Sequence, residues 1–415
     1  MRSPIRLLLS CLFLFAWLRL PAAEFAEYRQ IPVAAHLHTR FSDGKERVAR
    51  VVQMAREAGF RAVWLTDHAD IYWKYPVLGI TAGINRRSLR ESGFDNYLRA
   101  CRSARAKHPE MIVIPGFEAS PYYYWSGSLL GDKLVNHQWH KHLIVAGIED
   151  ERTFRRLPMI ACNSTRPGFT DQGETPYIRF SEAVRKAGGV ACWAHPYGGG
   201  EERVAYHVYS SVTDYTESLL TVPASNGIAL RGVSDSVTAP GGIWDRALAA
   251  HAAGERPVLP GIMVEIDYHR GEFPDRPTLV LLIPADTGDG ADARRACLEA
   301  LRSGRYYVTN TAPSKLILAD FTLASPGGES AVPGETLSGG GLLQIRYSIM
   351  GENPLQWVRI IQNGAVVLQQ TEPAGTWTVP FELPAGASGY FRLAALDAHG
   401  QYLLSQPILY RVLAP

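Results

Sequence analysis

The sequence predicts an α/β region built on a largely parallel sheet, open or closed into a barrel, followed by a small all-β sandwich. Three observations predict it. Short apolar runs alternate with amphipathic helical patterns from Val33 to about Asn310, and several of those runs are apolar throughout. After Asn310 the helical patterns stop, and β-rich runs separated by Gly, Pro, Asn and Asp take over. Strands that are apolar on both faces belong to parallel sheets covered by helices. A chain of 415 residues, 46% of them hydrophobic, has enough apolar material for two domains.

Taken in order, Val33–His36 reads as the first strand. Val48, Val51, Val52, Ala55 and Ala58 then recur at helical spacing, with Gly59 placed to end the helix. Ala62–Leu65 is the second strand, Tyr97–Ala106 a helix and Met111–Ile114 the third strand. Leu143–Ala146 follows as a strand. Phe180, Ala183, Val184 and Ala187 mark a helix closed by Gly188-Gly189, ahead of the strand Val190–Trp193. Leu279–Ile283 and a helix over Ala291–Arg302 complete the first region. The tracts Tyr122–Trp125 and Ser126–Asn136 read as a loop inserted after one strand, where loops shape a pocket. Beyond Asn310, the runs Leu342–Met350, Trp357–Gln362, Ala365–Gln370 and Tyr390–Leu396 read as strands, with Asn363-Gly364 as a tight hairpin turn.

The amino terminus reads as an export signal. Arg2 and Arg6 precede the apolar run Leu7–Leu18, and Pro21-Ala22-Ala23 offers small residues for cleavage. The run is short of the ~20 residues that span a bilayer. The expected organisation is therefore a signal at 1–23, the α/β domain at 24–312 and the β-domain at 313–415, in a periplasmic or secreted protein that leaves the membrane after cleavage. Losing residues 1–23 removes Arg2, Arg6 and Arg19 and no acid, which turns a formal charge of +2 slightly negative. Such a balance gives no electrostatic reason to expect a nucleic-acid groove. Of five cysteines, Cys11 lies in the signal, and Cys101, Cys162, Cys192 and Cys297 form no C-x-x-C pair. That excludes a thiolate zinc motif of that kind.

Ionisable residues fall at or just after the carboxyl ends of the predicted strands: His36 and His38, Asp67 and His68, Glu118, and His195. In parallel β/α folds that end of the strands builds the active site. His36 and His38 stand two apart on a strand, share a face, and can bind one ion. Asp67 is placed either to orient its neighbour or a ligand, or to act as a proton donor.

The run His36-Leu37-His38-Thr39-Arg40-Phe41-Ser42-Asp43-Gly44, followed by Thr66-Asp67-His68, resembles the opening of polymerase-and-histidinol-phosphatase (PHP) domains. The resemblance continues through Pro115-Gly116-Phe117-Glu118, His142, Ala194-His195-Pro196 and Asp267-Tyr268-His269, spanning about residues 33–310. It implies a distorted seven-stranded β/α barrel with a multinuclear metal site. His36, His38, Glu118 and Asp267 would hold one ion, with Glu118 bridging to a second bound by His142 and His195. Asp43, His68 and His269 would hold a third. Glu265 is an alternative to Asp267, and His137 and His140 compete with His142. Near Gly227–Leu230 the family often carries a glutamate that is absent here, a change assigned to the outer pocket.

Imidazole and carboxylate ligands suit two or three divalent ions, Zn²⁺, Mn²⁺ or Fe²⁺. The expected activity on a small-molecule substrate is hydrolysis with a metal-bridging hydroxide, phosphoesters being favoured. Carbamates or carboxylic esters are the alternative, as in a branch of the family with an appended β-domain. A non-catalytic binding module is a third reading. Arg40, Arg166 and Arg270 are candidate phosphate contacts, and Tyr122–Trp125 is a candidate seat for an aromatic leaving group.

Overall fold

The computed structural model describes residues 25–77, 80–128, 131, 133–159, 170–197, 199–232 and 235–413. The expected signal, Cys162 and Arg166 lie outside the described residues. Among those described, no helix is long and apolar enough to cross a membrane.

Seven strands curl around the first core: β1 (Tyr28–Leu37), β2 (Ala62–Leu65), β3 (Ile112–Ala119), β4 (Leu143–Ala146), β5 (Val190–Ala194), β6 (Gly227–Leu230) and β7 (Gly261–Val264). They lie side by side in the order β7-β6-β5-β4-β3-β2-β1. The residues just past β7 turn back onto β1. The Ile266 N–H donates to Ala35 O (2.9 Å), Tyr268 N–H to His36 O (3.1 Å), and His38 N–H to Tyr268 O (2.8 Å). Those bonds close the distorted barrel that the sequence predicts. Strands β2, β4, β5, β6 and β7 are buried at every position, as strands covered on both faces require.

Within these seven strands the sheet departs from the parallel expectation at one place, and the strand Thr278–Pro284 beside β1 departs from it too. β4 runs antiparallel to both β3 and β5, while the pairs β1–β2, β2–β3, β5–β6 and β6–β7 are parallel. Its amino end therefore lies at the rim where the other strands have their carboxyl ends.

Helices α1 (Val48–Glu57), α2 (Phe94–Lys107), α3 (Thr175–Lys186), α4 (Ile243–Ala252) and α5 (Ala291–Ser303) each lay an apolar stripe on the barrel. In α1 that stripe is Val48, Val51, Val52 and Ala55, and Gly59 ends the helix at φ +92°. At the rim, the presumed insertion is ordered as strands. Tyr124–Gly127 and Leu134–His137 join Gly200–Ala205 and Val208–Val212 in a separate four-stranded sheet. Tyr122 and Tyr123 are buried in the core, so the aromatic tract serves packing at those two positions.

The second domain grows out of the first without a break in the sheet. β8 (Thr278–Pro284) pairs with β1, and β9 (Tyr306–Thr309) pairs with β8. β9 in turn pairs with Tyr402–Ser405, beside which lie Ser388–Asp397, Leu355–Gln362 and Ala365–Thr371. A four-stranded sheet containing Leu316–Ala324, Leu342–Gly351 and Thr376–Glu382 packs across them. Phe321, Leu323 and Ile345 from one layer meet Val358, Ile360 and Leu393 from the other in a second core. The hairpin at Asn363-Gly364 has positive φ at both residues, 48° and 84°, as a tight two-residue turn demands. Cys101, Cys192 and Cys297 are buried and free.

Candidate metal centre

All nine residues named as ligand candidates meet at one rim of the barrel, and the route of each can be traced. His36 sits at a bulge in β1, where the pairing with β2 skips from Ala35 to Leu37. Its φ is +66°, a left-handed conformation uncommon outside glycine. His38 lies just past the strand end. The two imidazoles do converge, but because of the bulge and not through strand alternation. His195 (φ +31°) and Asp267 (φ +53°) are also left-handed. Such conformations cost roughly 1–3 kcal/mol each and persist where the surroundings over-determine them. Glu118 comes from β3 and His195 follows β5. His142 precedes the antiparallel β4, whose reversed direction carries it to the same rim.

Glu118 is the hub, at 1% exposure. Its Oε2 lies 3.3 Å from His36 Nε2, 3.3 Å from His38 Nε2 and 3.1 Å from His68 Nδ1. Its Oε1 lies 2.6 Å from His142 Nδ1 and 3.0 Å from His195 Nε2. Asp267 Oδ1 faces His36 Nε2 at 3.4 Å and His38 Nε2 at 3.6 Å. On the open side, Asp43 Oδ2 is 3.3 Å from His269 Nε2 and 3.6 Å from His68 Nε2, and its Oδ1 is 3.3 Å from His38 Nδ1. Donor atoms near enough to share an ion fall into overlapping groups: His38, Asp43, His68 and His269; His36, Glu118 and His195; His36, His38 and Asp267; and His68, Glu118 and His142.

The donor set fits divalent cations. His36 Nε2, His38 Nε2 and His142 Nδ1 are buried without a hydrogen-bond partner. Buried polar atoms are rarely left so. In His36 the other nitrogen, Nδ1, is held by Glu265 Oε2 at 2.6 Å, so a neutral ring turns its Nε2 lone pair towards carboxylate oxygens. Lone pair against lone pair is repulsive unless a cation or a proton stands between. Burial works to lower the His36 pKa, but the charges of Glu118 and Asp267 outweigh it and raise it well above the ordinary value. Glu118 responds in the opposite sense. Burial favours its neutral form, yet His142, His68 and His36 hold its carboxyl well below the usual range.

Several neighbours have other roles. Asp67 is fully buried and accepts bonds from Thr39 N–H (2.8 Å), Thr39 Oγ1 (2.7 Å), Ser42 N–H (3.0 Å) and Ser42 Oγ (2.8 Å). Four donors aimed at one carboxylate require it as an acceptor. It thereby fixes the 39–43 loop that presents Asp43, while burial raises its pKa above the ordinary carboxylate value. Gly44 belongs to the same loop, because a Cβ there would press into the His38 carbonyl. Glu265, weighed as a ligand, stands behind the donor atoms, accepting from the His195 N–H at 2.8 Å while it holds His36. Such a carboxylate–histidine contact orients a metal-binding ring. His137 faces Ser126 Oγ at 2.6 Å on the rim sheet, away from the hub. His140 stacks near Trp139 and lines a cavity with His195, outside the donor groups.

Arg231 escaped the sequence reading. It follows β6, directly after Gly227–Leu230 where the family's glutamate is missing, and its guanidinium pairs with Asp267 Oδ2. Nothing in local sequence marks it, since its partner is 36 residues away. A cavity of 950 Å³ opens at Asp43 and His269 and is lined by Glu46 and by four cations, Arg40, Lys45, Arg87 and Arg270. None of these four cations forms an ion pair among the described residues. A smaller cavity of 370 Å³ lies beside His195, lined by Tyr197, Tyr215 and Arg231.

Residues 34–230 match the family model of the PHP domain. No curated protein matches the chain. Among solved structures, a two-domain protein of Bacteroides vulgatus containing a predicted PHP-like metal-dependent phosphoesterase is similar at 13% identity and a TM-score of 0.42, covering 93% of this chain and 96% of that one. A candidate metal-dependent phosphoesterase of Bifidobacterium adolescentis is similar at 15% identity and a TM-score of 0.32, covering 65% of this chain and 96% of its own. An amidohydrolase of Chromobacterium violaceum, solved with sulfate and no metal, is similar at 16% identity and a TM-score of 0.31, over 57% of this chain and 87% of that one. The match to the PHP domain thus takes in seven of the nine ligand candidates, from His36 to His195.

Proposed function

We propose that this protein is an exported, metal-dependent phosphoesterase acting on a small anionic substrate. His36, His38, Glu118 and Asp267 would hold one divalent ion, Glu118, His142 and His195 a second, and Asp43, His68 and His269 a third. Ions so held lower the pKa of bound water towards ~7 and polarise the oxygen of a phosphoryl group. Zn²⁺, Mn²⁺ and Fe²⁺ all suit the donors.

The observation that carries the preference for phosphate is the cationic cavity. Arg40, Lys45, Arg87 and Arg270 surround the approach to Asp43 and His269, against the single further carboxylate of Glu46 on the same wall. A neutral carbamate or ester gains little from this excess of cations, whereas a phosphate gains charge-assisted hydrogen bonds from guanidinium groups. Arg231 orients Asp267 by pairing with the oxygen that His36 and His38 do not face. Asp67, through Thr39 and Ser42, holds the loop bearing Asp43 at the same mouth. Export is part of the reading and rests on the basic and apolar run of residues 1–23.

The test is a substrate panel. Chelator-stripped protein is reloaded with Mn²⁺ or Zn²⁺ and offered aryl phosphates, aryl carboxylic esters and aryl carbamates. Metal-dependent turnover is expected on the phosphates. Turnover confined to the neutral esters or carbamates transfers the assignment to that chemistry, and a folded, metal-loaded protein inert on every class leaves a binding module.

A further inference from the structure

One edge of β7 is paired with β6 from Gly227↔Gly261 to Leu230↔Val264. The other reaches β1 only beyond the strand, at Ile266 and Tyr268. At Ile262 the partner on that edge is a side chain from the sandwich. Gln406 is fully buried; its Nε2 donates to Ile262 O at 2.8 Å, and its Oε1 accepts from the Ile262 N–H at 3.3 Å. A primary amide offering one donor and one acceptor reproduces what a neighbouring strand's peptide groups would offer. Gln406 is itself anchored. It follows the strand Tyr402–Ser405, and its N–H donates to Tyr306 O at 3.2 Å. Gly261 makes the approach possible, because a Cβ there would collide with the Tyr306 hydroxyl and crowd Gln406 Oε1.

β7 leads directly to the metal centre. Glu265, one residue past its end, holds His36 and the backbone of His195; Asp267 faces His36 and His38. We propose that Gln406 is a positioning residue for the metal centre, fixing β7 so that Glu265 and Asp267 stand at the height the ions require. The inference rests on the metal-centre reading above. It makes the sandwich a structural part of that centre. Ligand constellations tolerate about 0.5 Å of displacement, and a strand edge without its partner has no other bond to hold it at this point.

Full-length, chelator-stripped protein titrated with Mn²⁺ tests this, with bound ions counted after gel filtration. Gln406→Leu, folded by circular dichroism and elution volume, is expected to bind at least one ion about tenfold more weakly. Gln406→Glu separates positioning from bulk. Its protonated carboxyl can make both bonds to Ile262, and its ionised form cannot donate. The ratio of its affinity to the wild type's should therefore stay near one at low pH and fall as pH rises. Tyr390→Phe loosens the same domain contact at Asp245 without touching Ile262, and should keep the wild-type affinity. Unchanged affinity in Gln406→Leu overturns the proposal, as does an equal loss in Tyr390→Phe. Should Gln406→Leu fail to fold, the Gln406→Glu ratio decides, and a ratio flat with pH overturns it. A wild type that binds no Mn²⁺ brings down the metal-centre reading itself, a result distinct from a binding wild type with an indifferent variant.

Discussion

The protein buries charge in two places and treats it in opposite ways. Between the domains, Asp245 of α4 and Arg392 of the sandwich form an ion pair at 2% and 0% exposure. Asp245 Oδ1 accepts from Arg392 Nε (2.7 Å) and Tyr390 Oη (2.9 Å), and Oδ2 from Arg392 Nη2 (2.6 Å) and Gly241 N–H (2.8 Å). The guanidinium lies 4.7 Å from the centre of the Trp244 ring. The carboxylate's requirements are met from within the chain. At the barrel rim, by contrast, Glu118 is ringed by five imidazoles, three of which turn buried nitrogens inward with no hydrogen-bond partner. In the first cluster the ion pair is complete within the chain, with Arg392 Nη1 alone left without a partner. The second is finished only by something the chain does not encode, which distinguishes a structural weld from a site.

Glu118→Gln keeps the size of the hub and removes its charge, so it tests the contrast most severely. Metal binding and hydrolysis should fall by more than the roughly 10–100-fold typical of losing an outer partner, while the purified protein stays folded. Elemental analysis and a turnover assay check both, and a fully active, metal-loaded variant would contradict the role of Glu118. Arg392→Leu should do the reverse. It strands a buried carboxylate and should cost about 3–5 kcal/mol of stability in a denaturant titration, with the metal content of the folded fraction unchanged. Pairing it with Asp245→Leu should restore much of that loss.

The pH dependence of the metal-free protein sharpens the comparison. Burial works to lower the His38 pKa, but the carboxylates of Asp43 and Glu118 beside the ring overcome it and raise it from 6.5 to about 9. A group raised on folding stabilises fully below its unfolded pKa and loses that contribution as pH climbs through the folded one. Thermal stability of the metal-free protein should therefore decline between pH 6.5 and about 9. Metal-loaded protein, in which the ion replaces the proton, should not show that decline. The smallest effect is expected at the exposed cavity wall. Arg87→Ala should raise KM for an aryl phosphate about two- to fivefold with kcat unchanged, because a solvated cation contributes little. An equal rise for a neutral ester would remove the case for charge recognition.

Much of this was legible in the sequence, for physical reasons that differ by element. β2, β5 and α1 follow from composition and period alone, because a strand buried on both faces must be apolar and a helix against a barrel must carry a stripe. The convergence of His36, His68, Glu118 and His195 follows from their shared position at strand ends. What stayed hidden depends on direction and distance. The reversal of β4 leaves no mark in Leu143–Ala146, since an apolar tetrapeptide reads alike in either orientation, yet it decides why His142 precedes its strand. The left-handed backbone at His36 carries no glycine to announce it. Glu265 looked like a rival ligand until its oxygens were found on His36 Nδ1 and the His195 N–H.

By itself, then, the sequence determined the two-part fold, because periodicity is a local property, and its resemblance to PHP domains implied the set of side chains able to bind metal. Only the tertiary structure decided which donors face the hub, that Asp67 braces a loop, that Arg231 guards Asp267, and that a glutamine from the sandwich completes a barrel edge. Those relations join residues from 24 to 144 positions apart. Contacts over such separations are set by how strands curl and pair, which no local pattern encodes.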